Sequence, residues 1–286
     1  MRKHPLTILS FNQKESSAST TAIAQALTGE CTILIRSVLR FDGIEELGFE
    51  CILDGVEGKS VPIDGTDEQM EMMKEKEANG TLVSNVSTLK MDEAVFFDLS
   101  DEVLHLPTRD PVNFEFGTRQ PDNGRRRLAI VTGDKPILVV KVIDSEGRAR
   151  AEERSEISDD IFGSFSDTMT LKSQMYDCSF GQLNIVPGVI PGKPEETAGS
   201  PGVIEVTINV SIINTKNIIE EAVASAVENK YGISLPGPYQ QVMYVLDTCT
   251  SCNFAGYAYI NSWLSAYQGV YYKHVGVQMH GKFKAS

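Results

Sequence analysis

The chain is poor in histidine and in basic residues, and it has no long apolar run. Its 286 residues include 4 His, and 26 Lys and Arg stand against 39 Asp and Glu, for a net charge of −13. No stretch approaches the roughly 18 apolar residues of a membrane helix, so no membrane span is expected. A nucleic-acid footprint needs a basic patch. The one basic cluster, Arg125-Arg126-Arg127, is too short to supply it. There is no G-x-S-x-G, no P-loop and no G-x-G-x-x-G, which removes the common signatures of serine hydrolases and nucleotide binders. A convincing secretory leader is also missing: the short Leu6–Leu9 stretch is interrupted at once by Asn12, Gln13, Lys14 and Glu15.

Five cysteines, an odd number, leave at least one unpaired within the chain. Cys249-Thr250-Ser251-Cys252 has CxxC spacing, but the second CxxC of a zinc ribbon is absent. A structural disulfide is the stronger reading, either within the pair or from it to Cys178. A redox site would need the motif at a helix start after a strand.

What is present suits an ordinary globular protein of one large or two smaller domains, with 41% hydrophobic and 23% charged residues. Charge divides the chain. Residues 1–124 hold 11 basic and 22 acidic side chains, residues 125–286 hold 15 and 17, so an acidic part precedes a nearly neutral one. Residues 1–30 are polar and Ser/Thr-rich and are expected to be poorly ordered. Strand patterns come next over 31–35, 50–53, 81–89 and 93–99, with a charged surface helix over 64–79 whose Met70, Met72 and Met73 read as packing. Pro107, Pro111, Gly117, Pro121 and Gly124 mark a boundary. The tribasic run after it reads either as a solvated loop or as a processing site, within a linker over 125–135.

Beyond the boundary, Pro136–Ile143 is a compact apolar strand, and Asp159–Gly163 and Thr170–Tyr176 suggest short helices. Strands are predicted over 180–186, 203–213 and 241–246, a proline- and glycine-rich loop over 187–201, and an aromatic-rich stretch over 255–267. Ile218, Ile219, Ala222, Val223, Ala226 and Val227 recur at helical spacing, with Gly232 just past the end, so 217–230 is an amphipathic helix. The fold class is α+β. Asn79, Asn85 and Asn209 stand in glycosylation acceptor triplets.

His274 and His280 are six residues apart, not the i, i+4 spacing of a zinc helix. Alone, His280 reads as a surface residue. Its context is a series of stretches in order: Leu138–Asp144, Ser158–Gly163, Leu171–Gln174, Cys178–Leu183, Pro201–Ile208, Leu235–Pro238, Tyr257–Trp263 and Tyr271–His280. Through them the segment from Leu138 to His280, about half of the chain, resembles the gametolysin family of zinc metallopeptidases, particularly its algal and diatom members.

The resemblance implies an acidic, β-rich propeptide-like region over 31–124. Arg125, Arg126 and Arg127 would then be a processing site, followed over 136–280 by the first part of a zincin/metzincin-like domain. It implies zinc as cofactor, protein or glycoprotein substrates and an extracellular setting. In the family the chain continues as H-E-x-x-H, with the glutamate as general base and a third histidine further on. Only His280 matches; Gly281 stands in place of the glutamate, so this chain is expected to bind no zinc and cleave no peptide. No cysteine-switch motif surrounds Cys31 or Cys51. The rival expectations are a non-catalytic binding or decoy protein and a non-functional fragment. Gly281-Lys282-Phe283 can be encoded as GGT-AAG-TTT, which contains the intron donor GTAAGT, so residues 281–286 are hypothesised to be translated intron. Sequencing the spliced transcript should then find a glutamate codon after His280; a mature message reading Gly281 and the same stop ends the hypothesis.

Overall fold

A computed structural model describes residues 7–8, 24–52, 60–98, 103–106, 116–118, 132–249, 251–252 and 254–273, with backbone alone at 7–8, 24–29, 91–98 and 116–118. The chain forms two units: residues 1–36 with 47–125, and residues 37–46 with 126–286. The strands in chain order up to residue 118 are β1 (Thr7–Ile8), β2 (Ala24–Leu39), β3 (Glu45–Ile52), β4 (Ser60–Asp64), β5 (Ser87–Asp98), β6 (Val103–His105) and β7 (Phe116–Thr118). The helix α1 (Asp67–Ala78) lies between β4 and β5.

In the first unit the neighbours run β2-β3-β4-β6-β5, and β5 pairs back onto β2, so five strands close into a ring. The β4–β6 pair is parallel; the β3–β4, β5–β6 and β2–β5 pairs are antiparallel. Alternation explains the interior: Cys31, Ile33 and Ile35 point inward on β2, joined by Phe49, Cys51, Val61, Ile63, Leu89 and Leu104, all buried. A Cys31–Cys51 disulfide links β2 and β3. Glu50, fully buried, is neutralised by Arg36 at 2.9 Å and accepts from Ser60 Oγ at 2.6 Å. Helix α1 starts at a Thr66–Gln69 capping box and buries Met73.

Two sequence expectations shift here. Ala24–Glu30, within the stretch expected to be poorly ordered, opens β2 and pairs with β5. Residues 81–86 are a turn rather than strand: Asn85 takes φ 60°, and Ser84 Oγ accepts from the Ile35 amide. His105 lies on β6, its Nδ1 3.2 Å from Asp64.

The second unit contains β8 (Gly133–Ile143), α2 (Arg154–Phe162), α3 (Leu171–Cys178), β9 (Leu183–Pro187), β10 (Val203–Thr207), α4 (Lys216–Tyr231), β11 (Gln241–Leu246), β12 (Gly256–Tyr259) and β13 (Leu264–Gln268). Its sheet order is β10-β8-β11-β13-β12. All these pairings are parallel except β12 with β13. Parallel neighbours require crossovers, and α4 supplies the one from β10 to β11.

Along one edge of β8, β9 pairs with Gly133–Ile137 and β10 with Val139–Ile143. Between them the chain leaves the sheet for residues 188–202. It returns at Gly202, whose φ of 76° and missing Cβ let it lie against Phe162; a Cβ there would be 2.6 Å from that ring.

Every residue of β11 is buried, because both faces of the sheet are covered. Met243, Val245, Val139 and Tyr267 face α2 and α3 through Ile157, Ile161, Leu171 and Met175. Tyr244 on the other face lies near Glu220 of α4. The α4 stripe is narrower than its sequence pattern: Ile219, Val223, Val227 and Tyr231 are buried, while Ile218 is exposed. The class is thus mixed α and β, with helices alternating with mainly parallel strands in this unit.

The strand predicted over 203–213 stops at Thr207 because a carboxylate captures the backbone beyond it. Asp144, at the end of β8 and 1% exposed, accepts from the amides of Glu146, Arg148 and Ile212 and from the Arg148 guanidinium. Burial alone would raise its pKa. The Arg148, Ile212 and Glu146 amides and the Arg148 guanidinium outweigh that and hold it below the usual carboxylate range.

A depressed folded-state pKa contributes stability above the unfolded value, about 3.9, and that contribution is lost as pH falls through the folded value. Asp144→Asn should therefore cost about 2 kcal/mol near neutrality, measured by chemical denaturation. The deficit should stay constant down to roughly pH 5 and shrink as the pH falls below about 4.

Candidate functional site

Ligands of open α/β sheets bind outside the carboxyl ends of the parallel strands, and at that end the chain turns after β13. Gly269, with φ 56°, makes the turn, and its amide donates to the Leu246 carbonyl. Tyr271–Lys273 then form a 3₁₀ turn. Tyr272 is fully buried, and its hydroxyl donates to Asp160 Oδ2 of α2 at 2.8 Å. Lys273 Nζ reaches the same oxygen at 2.8 Å. Burial first, then the bond and charge of Asp160, keep the Tyr272 phenol protonated far above the usual range.

Beside this anchor, Arg150 pairs with Glu152 and lies 3.8 Å from Asp247 at the end of β11. The Glu152 carboxyl is opposed by burial but held below its ordinary pKa by Arg150. Arg150 Nε and Glu152 Oε2 are buried without a hydrogen-bond partner among the described residues. The cluster contains no nucleophile paired with a base. Asp160, through Tyr272 and Lys273, fixes the exit of β13 to α2.

The neighbouring carboxylate of the Asp159-Asp160 pair does a different task. Asp159 accepts from the amides of Phe165, Ser166 and Asp167 and staples the loop after α2; the Phe165 amide foremost holds its pKa low. On the opposite face Glu220 of α4 accepts from Tyr257 at 2.7 Å and Tyr259 at 3.1 Å, tying β12 to the helix.

Cys249 and Cys252 are bonded to each other, in the turn after β11, and the Cys249 amide donates to Gln268 Oε1. Of the two disulfide pairings left open by the sequence, this is the one within the CxxC; Cys178 is free and exposed at the end of α3. The CxxC begins no helix, so the context of a redox site is missing. Asn79, Asn85 and Asn209 are all exposed, Asn209 in a turn rather than in the strand predicted for it.

His274, His280 and the residues after them lie outside the described residues, as do Arg125, Arg126 and Arg127. Among the described residues, no three His, Cys, Asp or Glu side chains converge to hold a metal ion. No helix among them is long and apolar enough to cross a membrane. The sequence did not single out Arg150 or Glu152, and although Asp160, Tyr272 and Lys273 fall within resembling stretches, nothing in the sequence paired them. Asp160 and Tyr272 are 112 positions apart, with nothing local to link them.

Tyr272→Phe should cost about 1.5 kcal/mol, the value of a hydrogen bond to a charged acceptor. Asp160→Ala should cost more, because it strands the buried hydroxyl of Tyr272. Chemical denaturation of both variants checks the order.

No family model, no curated protein and no solved structure matches the chain.

Proposed function

We propose that residues 136–280 are the N-terminal part of a gametolysin-like zinc metallopeptidase domain, zincin-like in fold, and that residues 31–124 stand in the place of its propeptide. Members of that family act on extracellular or cell-wall proteins. The observation that carries the reading is where the resembling stretches fall. In order, they supply β8, the end of α2, the start of α3, the turn before β9, β10, the turn after α4, and β12.

Several sit where the backbone leaves no choice: Gly163 ends α2 with φ 67°, Gly181 takes φ 76°, and Gly202 lies against Phe162. A likeness concentrated at such positions is a likeness of scaffold. Tyr271–Lys273, the start of the last stretch, is held by Asp160 of the second. Two disulfides suit an oxidising compartment, which favours the extracellular reading.

Zinc, where a complete motif holds it, lowers the pKa of a bound water and polarises the scissile carbonyl. A single imidazole followed by Gly281 does not fit a three-ligand site with a glutamate base, so no catalytic step is assigned to this chain.

The test replaces residues 281–286 with a continuation that completes H-E-x-x-H and supplies a third histidine. That protein should hold about one zinc per chain by metal analysis, and His280→Ala should lower occupancy at least tenfold. The unaltered chain should hold no stoichiometric zinc and cleave no protein substrate. A folded extended chain without zinc would sink the reading, and a cooperative zinc-free fold that captures proteins would favour the binding-protein alternative.

A further inference from the structure

Ten residues of the second unit come from the middle of the first. Residues 37–46 are the end of β2, the turn after it and the start of β3. Those two strands open the five-strand ring, whose order, with a helix between its third and fourth strands, is that of an OB-type barrel. In such barrels the loop joining the first two strands is a recognition element. Polyanions are a poor match for this one, since residues 1–124 carry twice as many acidic as basic side chains.

The segment's observed partners lie in the second unit. The Leu39 carbonyl accepts from the Ala255 amide at 2.7 Å, just before β12, and Ala255 is fully buried. Leu39 also packs against the core cluster that contains Tyr267 and Tyr272. The Phe41 ring meets Tyr271 edge-on, with centroids 5.9 Å apart. The turn is internally braced: the Arg40 amide donates to the Ile44 carbonyl at 2.8 Å, Gly43 takes φ 83°, and Arg40 pairs with Glu46 at 2.9 Å. A loop already shaped for docking loses little entropy on binding. Without it, the Ala255 amide would lose the acceptor it has in the folded unit, and a backbone donor left unpaired away from water is costly.

We propose that residues 37–46 are a built-in docking element, the first barrel loop serving as a structural part of the second unit. A break between Gly124 and Arg125 then leaves two pieces that remain associated through this loop, rather than a freed N-terminal part. The inference is independent of whether the second unit is a peptidase scaffold.

The test inserts a recognition sequence for a specific protease between Gly124 and Arg125 of the full chain. The protein is cut and run on native size exclusion at micromolar concentration. The two pieces should elute together at the volume of the uncut chain. The same protein carrying Leu39→Asp and Phe41→Ala should separate into two peaks after cutting. Should that pair of changes prevent folding, Phe41→Ala alone should weaken association of the cut pieces at least tenfold. Separation of the unaltered cut pieces overturns the proposal, and so does association that neither variant weakens.

Discussion

The second unit hangs on β8. Both edges of this buried strand must be paired, since a buried backbone group without a partner costs as much as a lost hydrogen bond. β11 takes one edge; β9 and β10 share the other in succession. Because these pairings are parallel, each neighbour arrives by a crossover, and the crossovers lay helices on both faces. The uninterrupted apolar run Ile137–Val140, the fully buried β11, and the need for Gly202 where the chain rejoins the edge all result from this. Asp144 finishes β8 by gathering the amides of two separate loops, so the end of the strand is fixed electrostatically rather than by further pairing.

What the sequence reveals and what it hides divide along the same line. Local pattern was enough for α4, β11 and the core of β8, because helical spacing and compact apolar runs are properties of neighbouring residues. It failed where a distant group decides. The stretch after Thr207 looks like strand until Asp144 takes the Ile212 amide, 68 positions away. Residues 81–86 look like strand until Asn85 turns left-handed and Ser84 caps Ile35. The aromatic-rich stretch 255–267 hid a hairpin turned at Asn261, which takes φ 55°. Closure of the first unit's strands into a ring depends on β2 meeting β5, a pairing with no local signature.

The candidate site is legible in the same partial way. The resemblance drew attention to the stretch from Tyr271 onward, and the described structure reaches as far as Lys273, where Asp160 holds both Tyr272 and Lys273. That anchor explains why Asp159 and Asp160, adjacent and chemically alike, do different things: one staples its own loop, the other reaches a strand exit 112 residues away. The proposed metallopeptidase ancestry rests on scaffold positions, and the chemistry belongs to a motif of which the sequence carries one histidine.

If residues 37–46 are as integral to the second unit as its own strands, a single amide tests this most directly. Ala255 donates to Leu39, and its hydrogen exchange can be followed in the intact chain beside the amides of β11. The Ala255 amide should be protected to the same degree as Val242–Leu246, opening only with the unit as a whole. Exchange of Ala255 at loop-like rates while β11 stays protected would contradict it.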